Sequence, residues 1–459
     1  MSDDDILALD AKYIWHPFTQ AATAAPPLHA VRGSGAMIQT ADGKEYVDLV
    51  SSWWVNLHGH ANPVIARAVA EQAATLEQAI FAEFTHDPAV RLAAKVCQQL
   101  PGDLDRVFYS DDGSTAVEVA MKMARQYWSN QGQNRQVYVG FDGGYHGDTV
   151  GAMSVGRSSG YFGAWENMLF PVEIAPFPTT WDGDDTIQAR EAAALDALDA
   201  ILDRNRDRIA ALIIEPLIQG AAGMRMCRPD FLRAVAERAA QAGTLLILDE
   251  VMTGFGRTGA SFACVKAGIT PDMICLSKGL TGGFLPMAMT VTREFIYQAF
   301  LAPQVSRAFL HGHSYTANPL GCAAGLASLE LLLGAQCQAR IKGIEALHRQ
   351  RLDHIARLDI VAHPRLCGTI AAFDLPGDGY GAEIGPMLKL QLRERGLLTR
   401  PMGNVMYVLP PYCMDDAALH HAWDIIDDVI SKISGDAACC ASRKSSGPWM
   451  TSSAMPSMP

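Results

Sequence analysis

Leu245-Leu-Ile-Leu-Asp249-Glu250 and Met273-Ile-Cys-Leu-Ser-Lys278-Gly279 are two short apolar runs, each closed by a charged side chain. Apolar runs of four or five residues bounded by turn chemistry read as strands buried on both faces of a parallel sheet. In such sheets the carboxyl ends of the strands border the ligand crevice. Asp249 and Lys278 therefore belong to one rim. A lysine at the end of a core strand can also snorkel to solvent, so the pair gains meaning only from its surroundings.

Working outward, residues 62 to 330 alternate helical and short apolar segments, the rhythm of a mostly parallel sheet. Candidate strands are Val107–Ser110, Gln136–Phe141, Ala211–Glu215, Leu245–Asp249, Met273–Leu276 and Met287–Val291. Candidate helices are 63–79, 87–100, 114–129, 190–207, 229–242 and 317–333. Residues 176–189 form a Pro/Asp/Gly-rich loop. After about 335 the texture becomes that of a smaller α+β unit, with a helix at 336–357, strands near 369–375 and 405–409, and a helix near 415–433. Residues 1–30 read as irregular, broken by Pro17, Pro26 and Pro27, and 36–50 as a hairpin turning at Asp42-Gly43. The expected division is 1–61 joining the small domain, 62–334 a large domain, 335–434 the small domain, and 435–459 a disordered tail.

The chain has 459 residues, 49% hydrophobic and 19% charged, with net charge −12. The length allows about three domain-sized units or one large body with a satellite. The acidic balance argues against nucleic acid or an anionic membrane as partner. No apolar run reaches the roughly 18 residues of a membrane span. Ten scattered cysteines without a Cys-x-x-Cys pair fit a reduced cytoplasm, not a disulfide framework or a zinc ribbon. The acidic start, Met1-Ser-Asp-Asp-Asp5, is unlike the basic head of a signal peptide.

Several stretches could do chemistry. Asp111-Asp-Gly-Ser-Thr115 follows a strand and opens a helix, so the Gly113 and Ser114 amides make an anion cradle, or Asp112 is an ordinary cap. Tyr145-His-Gly-Asp148 offers a ring to stack on a flat ligand, or a core aromatic. Glu215-Pro216 ends a third strand on the same rim. His311-Gly-His-Ser314 precedes a helix, and Ser314 suits a phosphate; no ligand spacing makes the two histidines a metal site. Ser51-Ser-Trp-Trp54 sets two adjacent tryptophans before a turn, and at least one should line a pocket. Arg257, in Gly254-Phe-Gly-Arg-Thr-Gly259, and Arg400, in Leu398-Thr-Arg-Pro401, are presented in turns where they can meet substrate. An amine, a carboxylate and a phosphate cup on one rim are what pyridoxal 5′-phosphate (PLP) needs: the amine joins its aldehyde, and the carboxylate keeps its ring nitrogen protonated.

With these residues in hand the chain resembles the class III PLP-dependent aminotransferases of fold type I. The resemblance spans roughly residues 12–433. It is carried by Trp15-His-Pro-Phe-Thr19, Ser51-Ser-Trp-Trp54, Gly113 to Met123, Tyr145-His-Gly-Asp-Thr149, Asp249 to Gly259 and Arg400-Pro401. The tryptophan pair and the Trp15–Thr19 segment are similar to the biotin-pathway branch. The resemblance implies an α/β body with a large, mixed, mostly parallel sheet flanked by helices, plus the smaller α+β domain. It implies Lys278 as the PLP lysine and proton carrier, Asp249 on the ring nitrogen, Tyr145 on the ring, and Gly113 and Ser114 on the phosphate. His313 would also bind the cofactor, and Ser314 would hold the phosphate of a neighbouring subunit's cofactor, which makes the enzyme a homodimer. Phe18, Trp53, Trp54, Tyr145 and Gly312 would line the substrate pocket, with Arg400 on the substrate carboxylate. The implied substrates are S-adenosylmethionine and 7-keto-8-aminopelargonate. Members commonly carry Tyr where this chain has Phe18, which keeps the aromatic wall and removes a hydroxyl. The alternatives are another class III aminotransferase using lysine or an ω-amino acid, and a silent PLP-like scaffold. An NAD-dependent dehydrogenase lacks its glycine fingerprint here.

Overall fold

The computed structural model describes residues 3–377 and 379–445. Three short strands come first: β1 (Ala30–Ser34), β2 (Met37–Thr40) and β3 (Glu45–Asp48). The central strands follow as β4 (Leu104–Ser110), β5 (Val137–Phe141), β6 (Glu173–Ala175) and β7 (Ile209–Ile214). A two-residue pair, β8 (Ile218–Gln219) and β9 (Arg225–Met226), precedes β10 (Leu245–Asp249), β11 (Met273–Leu276) and β12 (Ala288–Arg293). The C-terminal strands are β13 (Ala362–Cys367), β14 (Ile370–Asp374), β15 (Leu397–Leu398) and β16 (Val405–Val408).

Seven strands make the large sheet in the order β4-β12-β11-β10-β7-β5-β6. β12 pairs antiparallel with both neighbours, and every other pairing in the sheet is parallel. All six residues of β7 and all five of β10 are buried, as a sheet covered on both faces requires. A fully buried Leu or Ile contributes about 1.5–3 kcal/mol, so the Leu/Ile runs of these strands fix the sheet. One cover is the helix Gly113–Asn130, which turns Ala116, Val117, Ala120, Met121 and Ala124 inward and packs on β11 and β12. Because β10 and β11 run in register, with Asp249 beside Cys275, their ends bring Asp249 and Lys278 to the same edge.

The N-terminal strands form a second sheet, β1-β2-β3-β15, in which β3 runs parallel to β15 and Val47 lies beside Leu397. β13, β14 and β16 form a third, antiparallel sheet. The two ends of the chain are thus joined by backbone hydrogen bonds.

Several elements differ from the sequence expectation. Asp3–Tyr13 is a helix and not irregular chain: three aspartates fill its first turn and Lys12 its last, complementing the helix dipole, and none of its residues is buried. The helix expected at 63–79 ends at Ala73. β6 is an additional edge strand of three residues, too short for a period to register. The last helix runs Asp416–Ser445, eleven residues into the stretch expected to be disordered, where alanines favour helix; the remainder, 446–459, lies outside the described residues. Among the described residues no single helix is long and apolar enough to cross a membrane.

Candidate functional site

The carboxyl ends of β4, β5, β7, β10 and β11 deliver Ser114, Tyr145, Glu215, Asp249 and Lys278 to one cavity of about 700 Å³. Asp249 is buried. Its Oδ1 accepts from the Val251 amide (3.1 Å) and its Oδ2 from His146 Nδ1 (2.7 Å). Burial opposes a charge on His146, but the Asp249 carboxylate outweighs it and raises the pKa. Glu215 accepts from the Tyr145 and Gly220 amides (3.0 Å each), and burial pushes its carboxyl up to about 7. Lys278 is part-buried, with a left-handed backbone (φ 44°) that marks local strain. Burial lowers its pKa despite the nearby Asp249 and Glu215 carboxylates.

At the end of β4, Asp112 caps the helix: its side chain accepts from Thr115 N (2.9 Å), and the first helical amides at Gly113 and Ser114 have no partner within the helix. The cap and the anion cradle thus coexist. Ser114 Oγ accepts from the Thr149 amide (3.0 Å). A Cβ at Gly113 would stand 2.6 Å from Val251 Cγ1, and one at Gly147 (φ 118°) 2.4 Å from Ser114 Oγ, so both positions need glycine for the loops to close here. Tyr145 has its hydroxyl on Asp148 Oδ1 (2.9 Å) and its ring stacked on Phe162 (23°).

A second cavity of about 330 Å³ shares Trp54, Tyr145 and Lys278 with the first and continues to Phe18, Trp53 and Arg400. Its tryptophans sit on an unusual backbone. Ser51, Ser52, Trp53 and Trp54 have φ of 47°, 45°, 68° and 74°, a single left-handed turn built without glycine. Such a turn costs roughly 1–2 kcal/mol per residue, so neighbours must hold it. Ser51 Oγ donates to Leu409 O (2.8 Å), Ser52 Oγ to Asp48 Oδ2 (2.9 Å) and Trp54 Nε1 to Tyr407 Oη (3.1 Å). The turn lets adjacent tryptophans both line the pocket. Arg400 lies over Trp53 with its guanidinium carbon 4.2 Å from the ring centroid.

One expectation changes. Arg257 is not presented to the cavity. It is buried, and donates to Pro410 O (3.0 Å), Asn56 O (3.1 Å) and Trp54 O (3.4 Å), bracing the left-handed turn from behind. Gly312, His313 and Ser314 line neither cavity; His313 Nδ1 lies 3.1 Å from Asp111 Oδ2, and Ser314 O accepts from Gln78 Nε2 (2.8 Å). Sequence reasoning missed Tyr161, Tyr380 and Tyr407 in the pocket and His146 behind Asp249. Tyr380 stands in a glycine-rich turn, the one signal that an exposed ring was being presented there.

The donor set suits a phosphorylated, aldehyde-bearing pyridine. It supplies an amine depressed by burial, a buried carboxylate supported from behind, and a helix start that glycine leaves open. A profile of the family described as Aminotransferase class-III matches residues 19–430. The chain belongs to the class III aminotransferases. It is 55% identical over 423 residues to the adenosylmethionine-8-amino-7-oxononanoate aminotransferase of Synechococcus elongatus, covering 92% of this chain and 99% of that protein. A solved enzyme of the same name from Methanocaldococcus jannaschii has 34% identity and a TM-score of 0.87, covering 94% of this chain and 99% of its own. An amine transaminase from an uncultivated Pseudomonas species, solved in a PLP-bound form, has 30% identity and a TM-score of 0.83, covering 90% and 97%. As a class III aminotransferase this protein is a transaminase, and its cofactor is PLP.

Proposed function

We propose that this transaminase converts 7-keto-8-aminopelargonate to 7,8-diaminopelargonate, a step of biotin biosynthesis, with S-adenosylmethionine as amino donor. The observation that carries the reading is the second cavity. It opens onto Lys278, has flat aromatic walls able to accept two unlike substrates, and holds Arg400 for a carboxylate. The names of the relatives at 55% and 34% identity support the same choice.

In this reading Lys278 Nζ would hold the cofactor, and its amine would carry the proton from the substrate carbon. Burial helps it: a depressed pKa leaves more of the amine unprotonated and able to act. Asp249, fixed by His146, would pair with the ring nitrogen, Tyr145 would cover the ring, and Gly113 with Ser114 would hold the phosphate. When bound, PLP supplies the electron sink that makes loss of the substrate proton feasible. Trp53, Trp54 and Phe18 would exclude water and orient the chain of the keto acid, whose carboxylate meets Arg400, with Gly312 contributed nearby.

His313 and Ser314 lie away from this chain's own cavities, which supports their serving a second subunit. A homodimer is further supported by an apolar groove of about 720 Å³ that includes Phe81, Val90, Phe108, Tyr297, Leu301 and Phe309. Exposed Phe84, Leu310 and Tyr315 lie in the same stretches of chain. The chain divides, in this reading, into a cofactor-bearing body (62–334) and a smaller one (335–434, with 1–61 joined), and the substrate cavity draws on both. The eight described cysteines are unpaired, in keeping with a cytoplasmic enzyme.

The test is a half-reaction followed by absorbance. S-adenosylmethionine should convert the loaded enzyme to its aminated form, and 7-keto-8-aminopelargonate should return it. Conversion by lysine or an ω-amino acid alone, or no return by the keto acid, would overturn the assignment.

A further inference from the structure

Two aromatic rings at the substrate cavity, Tyr161 and Tyr380, have no part in the chemistry above, and Phe18 stands beside them. Tyr161 is central. Its ring meets Phe18 edge-on (6.2 Å between centroids, 87°), and Tyr380 likewise (5.3 Å, 79°). Tyr145 closes the inner side (5.8 Å, 75°). Rings near right angles make walls and not a stack. The cavity's own cations sit elsewhere, Arg400 over Trp53 at 4.2 Å and Lys278 over Trp54 at 5.3 Å. The lining contains neither Asp nor Glu. Tyr161 donates its hydroxyl to Ala221 O (3.0 Å), and burial pushes its pKa up to about 12, so it presents a neutral ring at working pH.

We propose that Phe18, Tyr161 and Tyr380 form a cation cage that receives the sulfonium centre of the amino donor. The inference rests on the donor assigned under Proposed function. A sulfonium carries a permanent charge and no N–H, so hydrogen-bond acceptors serve it poorly and aromatic faces serve it well. Arg400 and Lys278 already cover the Trp53 and Trp54 rings, whereas among the described residues Tyr161 and Tyr380 carry no such cation over their faces. The keto acid has a carboxylate for Arg400 and no permanent cation. Both substrates bring a carboxylate and an amino group, and only the donor adds a sulfonium, so that extra charge is what the Tyr161 side tells apart.

The experiment titrates the PLP-loaded enzyme with S-adenosylmethionine and with its neutral thioether analogue S-adenosylhomocysteine, reading tryptophan fluorescence. Half-saturation by the keto acid is measured alongside in the steady state. Wild type should prefer the sulfonium by about tenfold. Tyr161→Leu should erase that preference while thioether affinity and keto-acid half-saturation hold, and Tyr161→Phe should keep it. Tyr380→Leu, at an exposed position that does not threaten the fold, should reduce it. An unchanged preference in the leucine variants overturns the cage, as does a parallel weakening of keto-acid half-saturation, which would assign the rings to the acceptor's ammonium group. S-adenosylmethionine that converts the wild type without any sulfonium preference sinks the cage alone. No conversion by S-adenosylmethionine, with another amine succeeding, sinks the donor assignment and the cage with it.

Discussion

Lys278 is held where its charge is least welcome, part-buried on a left-handed backbone, and its usefulness follows from that placement. Alanine at this position removes the amine that binds the cofactor and moves the proton, but no packing core. Lys278→Ala should therefore lower turnover by at least about ten-thousandfold while leaving the thermal midpoint within a few degrees. A variant still transferring amino groups at the wild-type rate would sink the mechanism. At the same scale the sequence disclosed the charged strand ends and their partners in space. It did not disclose Arg257, because an arginine in a glycine turn reads the same whether it faces substrate or three backbone carbonyls. His146 escaped for a related reason: the carboxylate that gives it meaning is 103 residues away.

Among the elements, the helix Ala335–Ile355 carries a buried histidine whose pH behaviour is open to test. His348 Nδ1 accepts from Trp423 Nε1 (3.1 Å), and burial pushes its pKa down to about 3. Between about 3 and the ordinary 6.5 the unfolded chain binds a proton at this site that the folded chain refuses. The stability it contributes is thus complete above 6.5 and is lost as pH falls. Glutamine keeps an acceptor for Trp423 without titrating. In paired urea titrations the deficit of His348→Gln relative to wild type should shrink by about 1.4 kcal/mol per pH unit below 6.5; parallel curves from pH 7 to 5 would refute this. The strands of the large sheet were legible because uninterrupted apolar runs have few other readings, and Leu245–Asp249 and Met273–Leu276 fall where the sequence put them. The left-handed turn at 51–54 was not legible. No residue type in Ser-Ser-Trp-Trp favours it, and it exists only through the contacts that enforce it.

For the whole molecule, the groove around Val90 and Phe108 asks for a covering partner, and a second copy of the chain is the occupant proposed above. Val90→Asp, placed where burial in the dimer would strand a charge, should give a monomer by sedimentation and weaken PLP retention at least about tenfold. A monomeric wild type would remove the premise. The pattern of the sequence conveyed the large sheet and its rim and suggested that 1–61 joins the small domain, but not the β3–β15 pairing that links the two ends, since strands of two to four residues carry almost no signal. That joining bears on how the enzyme is made. Trp54 waits for Tyr407, 353 residues later, and Ser51 for Leu409, 358 later. At ribosomal speeds of about 5–20 residues per second, those partners emerge roughly 20–70 s after the tryptophans. For the last part of that interval, from Lys278 to Tyr407, the charged strand ends of the cofactor rim all exist as sequence outside the ribosome, while the strained turn has nothing to hold it. The nascent chain thus carries every charged strand end of the cofactor rim before it carries the partners that hold its substrate wall in place.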